Sequence, residues 1–198
     1  MTADTPARAA LPADRPALHE EQLPALGAVR IVELDPAADA GLVHRWVTEP
    51  RARYWGMLDA DREQVRETYA YVDSLTTHHA FLALRDGRPA ALFQSYRPEH
   101  DPVGECYEVR PGDHGMHLLI GPPDGPPQHG VSRALVGVFV RFLFADPARR
   151  RIVAEPDARN GRAIALLRRC GFEPGPEIEK PEKRARLVFL DRAAAGPA

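Results

Sequence analysis

Residues 114–157 constrain the fold of this chain more than any other stretch. "HGMHLLIGP" (114–122) is a β-rich run, "VSRALVGVFVRFLF" (131–144) is a strongly apolar helix, and "RRIVAEPD" (150–157) reads as a second, buried strand. Strand, helix and strand in that order need a crossover, so the two strands pair in parallel. Parallel strands are covered by helices, which commits the chain to an α/β layout.

The flanking segments complete a mixed sheet. "AVRIVEL" (28–34) alternates as a first strand, and residues 79–98 hold two β-rich runs around Asp86-Gly87, an antiparallel hairpin signal. Helices are expected after Asp35 or Asp39 as N-cap, ending at Pro50, and over 61–75, where Val65, Tyr69 and Val72 share a face. A further helix covers "RNGRAIALLRRCGF", closed by Gly171, and "ARLVFLDR" (185–192) is the last strand. The expected fold is α/β: a central mixed β-sheet of about seven strands flanked by about four helices. Residues 1–26, with four prolines, read as a mobile tail, 27–192 as one domain and 193–198 as a frayed end.

Composition excludes several classes. A net charge of −2 leaves no basic footprint for nucleic acid or an anionic membrane. No apolar run approaches the ~18–20 residues of a membrane helix. Two cysteines, Cys106 and Cys170, fit a reducing cytoplasm, with a monomer or homodimer as the expected form. Of the 26 basic residues only Lys180 and Lys183 are lysines, which reads as codon bias. The arginines at 149–151 read as a solvated strand start, and Glu177 to Arg184 as surface.

Three elements bear on chemistry. His117 interrupts an apolar strand, either as a core histidine bonded to a carbonyl or as a base near neutral pH. Asp157, at the end of the next strand, is either a helix cap or the carboxylate that orients that imidazole across the crevice. Gly130 opens the apolar helix, where free N–H groups and the dipole suit phosphate, with Arg133 one turn in. Ligands collect at the carboxyl ends of strands in such sheets. His78 and His79 are adjacent on a strand and point to opposite faces, so no shared metal ion is expected. Trp46 falls with Leu42 and Val43 in the core, whereas Trp55, Gln94, Tyr96 and Asp113 are candidates for an acceptor pocket, with packing, a solvated face or loop support as their other readings.

Strand histidine, Gly-led helix, strand aspartate and the Asn160, Ala163, Gly171-Phe172 helix occur in one order that resembles the GNAT superfamily of acyl-CoA-dependent N-acyltransferases. The segments 44–57, 111–122, 146–160 and 178–183 are similar to its siderophore-biosynthesis branch, of the hydroxylysine or N-hydroxycadaverine acyltransferase type. That resemblance implies His117 and Asp157 as the catalytic pair. It implies cofactor contacts at Leu118, Leu119 and Ile120, at His129, Gly130, Val131, Ser132 and Arg133, and at Asn160 and Ala163. The usual phosphate fingerprint is altered, with Pro127 in its first position and Ser132 in its last. The implied co-substrate is acetyl-CoA or succinyl-CoA, the latter needing a cation such as Arg97 or Arg133. The implied acceptor is N-hydroxycadaverine, then N6-hydroxylysine. The alternatives are an aminoglycoside-type N-acetyltransferase and a non-catalytic acyl-CoA-binding module.

Overall fold

The computed structural model describes residues 15–24, 26–123, 125–126 and 128–195; Pro127 and the last three residues lie outside them. An eight-stranded sheet is built from β1 (His19–Leu23), β2 (Gly27–Glu33), β3 (His78–Arg85), β4 (Arg88–Tyr96), β5 (Asp113–Ile120), β6 (Arg151–Ala154), β7 (Glu173–Lys180) and β8 (Lys183–Asp191), in the order β1-β2-β3-β4-β5-β6-β8-β7. Among these strands only β5 and β6 pair in parallel, as the crossover demands. Helices α1 (Pro36–Val47) and α2 (Arg62–Ser74) cover one face. Helices α3 (Val131–Phe144) and α4 (Gly161–Arg169) cover the other.

Local chemistry explains the element ends. Asp35 caps α1 by accepting from the N–H groups of Ala37 and Ala38, and Asp61 with Gln64 forms a capping box on α2. Asp86 (φ 48°) and Gly87 (φ 76°) turn the β3–β4 hairpin with two left-handed residues, the twist such turns require.

The additional strand, β1, lies within the stretch expected to be a mobile tail. It pairs antiparallel with β2, and its Glu21 carboxylate accepts from Arg141 Nε of α3 at 2.8 Å. Just before it, Arg15 is ion-paired with the fully buried Asp39 of α1. "HEEQL" has no apolar alternation because it is an edge strand held by backbone pairing and charge. Near the other end, Arg192–Ala194 forms a short 3₁₀ turn where fraying was expected.

What positions the site is how β5 leaves β6. Their pairing runs only from Asp113↔Arg151 to Gly115↔Val153, while β5 stays paired with β4 as far as Ile120. Gly121 donates to the Ala90 carbonyl at 2.7 Å, which fixes the alternation along that ladder. Leu119 and His117 then exchange backbone bonds with β4, and the N–H and C=O groups of Leu118 and Ile120 point to the bare side. The Ile120 carbonyl there accepts from Arg51.

Candidate active site

The register explains why one face of the open crevice is chemically loaded. Gly115 is level with Val153, so two residues further on His117 is level with Glu155, on the same face of the sheet. His117 Nε2 lies 2.6 Å from Glu155 Oε1. The glutamate side chain is fully buried and that of the histidine is 30 % exposed, so only the ring reaches solvent. Asp157 is not the partner of His117. Its carboxylate is taken by Arg159, through the backbone N–H at 2.8 Å and the guanidinium at 2.9 and 2.7 Å. The Arg159 bonds hold the Asp157 pKa down to about 2. Asp157 stands at the apparent strand end in the sequence, but β6 stops at Ala154.

Glu155 is held from four sides. Tyr96 Oη donates to Oε2 at 2.7 Å, Lys180 Nζ lies 3.4 Å from Oε1, and Lys183 Nζ donates to the Glu155 carbonyl oxygen at 2.9 Å. Burial alone would push this carboxyl up; the charge and hydrogen bond of His117, with Lys183 and Lys180, outweigh it and keep the group well below the usual carboxylate range. Tyr96 is itself buried, its pKa raised by burial and then by Glu155, so it orients the carboxylate and does not meet an acceptor. Gly115 permits this: a Cβ there would lie 2.1 Å from the Tyr96 ring.

Gln94 lies directly across from His117 on β4, with Oε1 3.0 Å from Nδ1. With Glu155 ionised, a neutral ring carries its proton on Nε2 and presents the Nδ1 lone pair. A half-turn of the Gln94 amide serves both states: its NH₂ donates to the neutral ring and its oxygen accepts from the imidazolium. Gln94 is therefore bonded to the His117 ring and is not free as an acceptor subsite.

A cavity of about 430 Å³ opens over this pair, lined among others by Arg53, Tyr54, Trp55, Met57, Gln94, His117, Leu118, Glu155, Asp157, Asn160, Ala163, Lys180 and Lys183. Trp55 stands edge-on to His117 at 6.4 Å between ring centres, held by Nε1 donating to Tyr69 Oη at 3.3 Å. Asp113 is elsewhere: it is buried, and its carboxylate takes Arg151 Nε and Nη2, both at 2.7 Å, so it is a strut and not an amine site. Arg151, expected in solvent, is its buried partner.

The cofactor candidates separate. Ile120, Val131 and Ser132 line a second cavity of about 530 Å³ beside the start of α3. Gly130 (φ 85°) precedes that helix with no side-chain cap, and the first helical bond is Ala134 N–H to the Gly130 carbonyl, so the first turn's N–H groups have no helical acceptor. Arg133 lines a different cavity with Cys170, and His129 is exposed in the preceding turn. Leu119 turns its side chain into the core under α1 and α2. Asn160 caps α4 by accepting from Ala163 N–H at 3.2 Å. Bare β5 backbone at Leu118 and the α4 cap border the first cavity, and the uncapped helix start borders the second beside Ile120 at the end of the same strand, an arrangement that fits a long thioester co-substrate.

The charge pattern of 177–184 predicts Lys180 and Lys183 at the surface. They face inward because β7 and β8 form a hairpin whose end residues, Lys180 and Lys183, pair across the turn. Their only sequence signal was rarity. Glu155 had a clearer one: alternation puts 153, 155 and 157 on one face once the register is known.

A mixed sheet that splits beside an uncapped helix, with the His117–Glu155 pair at the split, defines an α/β domain of the acyltransferase class. The acetyltransferase (GNAT) domain family matches residues 35–180, and the chain belongs to that family. N(6)-hydroxylysine O-acetyltransferase of Escherichia coli is 34 % identical over 162 residues, which span 80 % of this chain and 50 % of that protein. Lysine N-acyltransferase MbtK of Mycobacterium sp. (strain MCS) is 25 % identical over 162 residues, 81 % of this chain and 66 % of that protein. The chain thus spans about half the length of the first relative. Among solved structures, the aminoglycoside acetyltransferase AAC(6')-Ib in complex with coenzyme A superposes with a TM-score of 0.73 at 25 % identity, covering 84 % of this chain and 96 % of that one. No helix among the described residues is long and apolar enough to cross a membrane.

Proposed function

We propose that this chain is an acyl-CoA-dependent N-acyltransferase that acylates an N-hydroxylated amine of the lysine type, producing the hydroxamate group used by siderophores. The observation that carries the reading is the buried Glu155 bonded to His117 at 2.6 Å, with the ring facing the cavity beside the open edge of β5. The acyl thioester supplies an activated carbonyl. The acceptor nitrogen forms the new C–N bond, the nitrogen's proton passes to His117 Nδ1 as Gln94 yields its contact, and the C–S bond breaks with CoA leaving as a thiolate that is protonated by the imidazolium or by water to the free thiol. Glu155 stabilises the resulting imidazolium. The backbone N–H groups of Leu118 and Ile120 suit the thioester arm, and the first turn of α3 suits its phosphates. General-base assistance of this kind contributes about 10²–10⁴-fold.

Charge in the cavity favours one acceptor over another. Arg53, Arg159, Lys180 and Lys183 line it against Glu155, Asp157 and Glu182. All three carboxylates are already ion-paired, with Lys180, Arg159 and Lys180 respectively. A polycationic aminoglycoside finds no free carboxylate there. Arg53, stacked on the Tyr54 ring at 4.6 Å, has no carboxylate partner among the described residues and is available to an acceptor that carries one. N6-hydroxylysine, whose relative-bearing name in E. coli also points to it, is therefore preferred to N-hydroxycadaverine, which has no carboxylate. Neither Arg97 nor Arg133 lines this cavity, and Arg53 is assigned to the carboxylate of the acceptor, so acetyl-CoA is the proposed donor ahead of succinyl-CoA.

The test is thiol release from acetyl-CoA with three acceptors. Turnover should fall in the order N6-hydroxylysine, N-hydroxycadaverine, kanamycin. Preference for kanamycin rejects the acceptor assignment, and CoA binding without turnover of any amine makes the chain a binding module.

A further inference from the structure

Lysine is a rare choice in this chain. Of 26 lysines and arginines only Lys180 and Lys183 are lysine, yet both contact one buried glutamate. A composition that favours arginine everywhere else keeps an ammonium at these two positions.

The geometry gives a reason. Lys180 Nζ lies 3.3 Å from Glu182 Oε1, 3.4 Å from Glu155 Oε1 and 3.9 Å from Asp101 Oδ1, with its side chain 7 % exposed. Three carboxylates on three strands or turns suit the three rotatable donors of an ammonium and not a planar guanidinium fork. Lys183 Nζ lies 3.7 Å from Glu155 Oε1 besides donating to its carbonyl oxygen. Other polar groups beside the cluster include Tyr96 on Glu155, Tyr107 near Tyr96, His78 Nε2 at 3.6 Å from Asp101, and the neighbouring Asp157–Arg159 pair.

We propose that Lys180 and Lys183 are positioning residues that hold the buried Glu155 carboxylate ionised and fixed, so that His117 keeps Nδ1 as its proton-accepting nitrogen. This rests on the role given above to His117. Neither lysine touches the reacting atoms; both act through Glu155. Removing a cation beside the His117–Glu155 pair raises the pair's affinity for protons. The pair then stays protonated to higher pH, and the acid limb of kcat/KM moves upward by about 1–3 units, the usual effect of one charge at this range. An arginine keeps the charge, so the limb stays in place while kcat falls from poorer geometry.

The experiment compares Lys180→Met, Lys183→Met and Lys180→Arg with the unaltered chain. It uses pH profiles of kcat/KM with N6-hydroxylysine and acetyl-CoA, and NMR titration of the His117 ring assigned with His117→Gln. Upward displacement of both the limb and the ring titration in the Met variants, with neither moved in Lys180→Arg, is the expected result. Folded Met variants whose ring titration is unmoved, however low their activity, overturn the proposal and leave the lysines as clips for the β7–β8 hairpin. Should Lys180→Met not fold, Lys183→Met, with the more exposed side chain, decides alone. The ring titration needs no turnover, so it separates failure of this proposal from failure of the acceptor assignment.

Discussion

Glu155→Gln isolates the contribution of the buried carboxylate with almost no change of shape. The 2.6 Å contact from His117 Nε2 is lost as a charge-assisted bond and retained as a neutral one. Charge-assisted bonds contribute about 1.5–3 kcal/mol and neutral ones about 1, a loss of about 1–2 kcal/mol in ring orientation. The imidazolium that forms during transfer also loses its counter-charge. At ~4 Å and an effective dielectric of ~20 that interaction is ~4 kcal/mol, and the partly exposed ring, screened by water, retains about half of it. The two together give ~3–4 kcal/mol, so kcat/KM should fall about 10²–10³-fold. Lys180 keeps Asp101 and Glu182 as partners, so the variant should still fold. Asp157→Asn is the comparison: its carboxylate serves Arg159, and the expected loss is under about tenfold. Thiol-release kinetics on both variants, with thermal melts as the folding control, decide the matter. A folded Glu155→Gln protein within twofold of the parent, or a larger loss from Asp157→Asn, refutes the assignment of Glu155 as the partner of His117.

Two further substitutions probe residues outside the crevice. Asp113→Asn breaks a buried ion pair with Arg151 and should cost about 3–5 kcal/mol in urea unfolding, while kcat at a permissive temperature stays unchanged; a selective rise in KM for the amine would return Asp113 to the acceptor site. Burial pushes the His114 imidazole down to about 3, and its Nε2 is buried with no hydrogen-bond partner among the described residues. The unfolded chain takes up that proton near pH ~6.5 and the native chain does not, so stability falls as pH drops from ~6.5 towards 3, by up to roughly 5 kcal/mol. His114→Leu should flatten that limb of the melting-temperature profile, and an unchanged limb would assign it to other groups.

The central part of the fold was legible because periodicity and connection rules act locally. The crossover at 114–157 dictated the parallel pair, and Asp86-Gly87 dictated the hairpin. Strand β1 was not legible, since an edge strand needs backbone pairing and carries no apolar alternation. In the site, the sequence singled out His117 but not its partner. Choosing between Glu155 and Asp157 depends on where β6 ends and on register, which are tertiary properties. Lys180 and Lys183 looked solvated because a charged hairpin turn gives no local sign that it folds back over a buried glutamate. Tyr96 and Gln94 were placed on the right strand face, yet one proved buried beneath Glu155 and the other bonded to the base.

The most direct measurement is single-turnover acyl transfer from acetyl-CoA to N6-hydroxylysine by the parent chain and by His117→Ala, with CoA affinity measured in parallel. Transfer should slow by about 10²–10⁴-fold with CoA affinity essentially unchanged. Transfer at the parental rate would contradict His117 as the base.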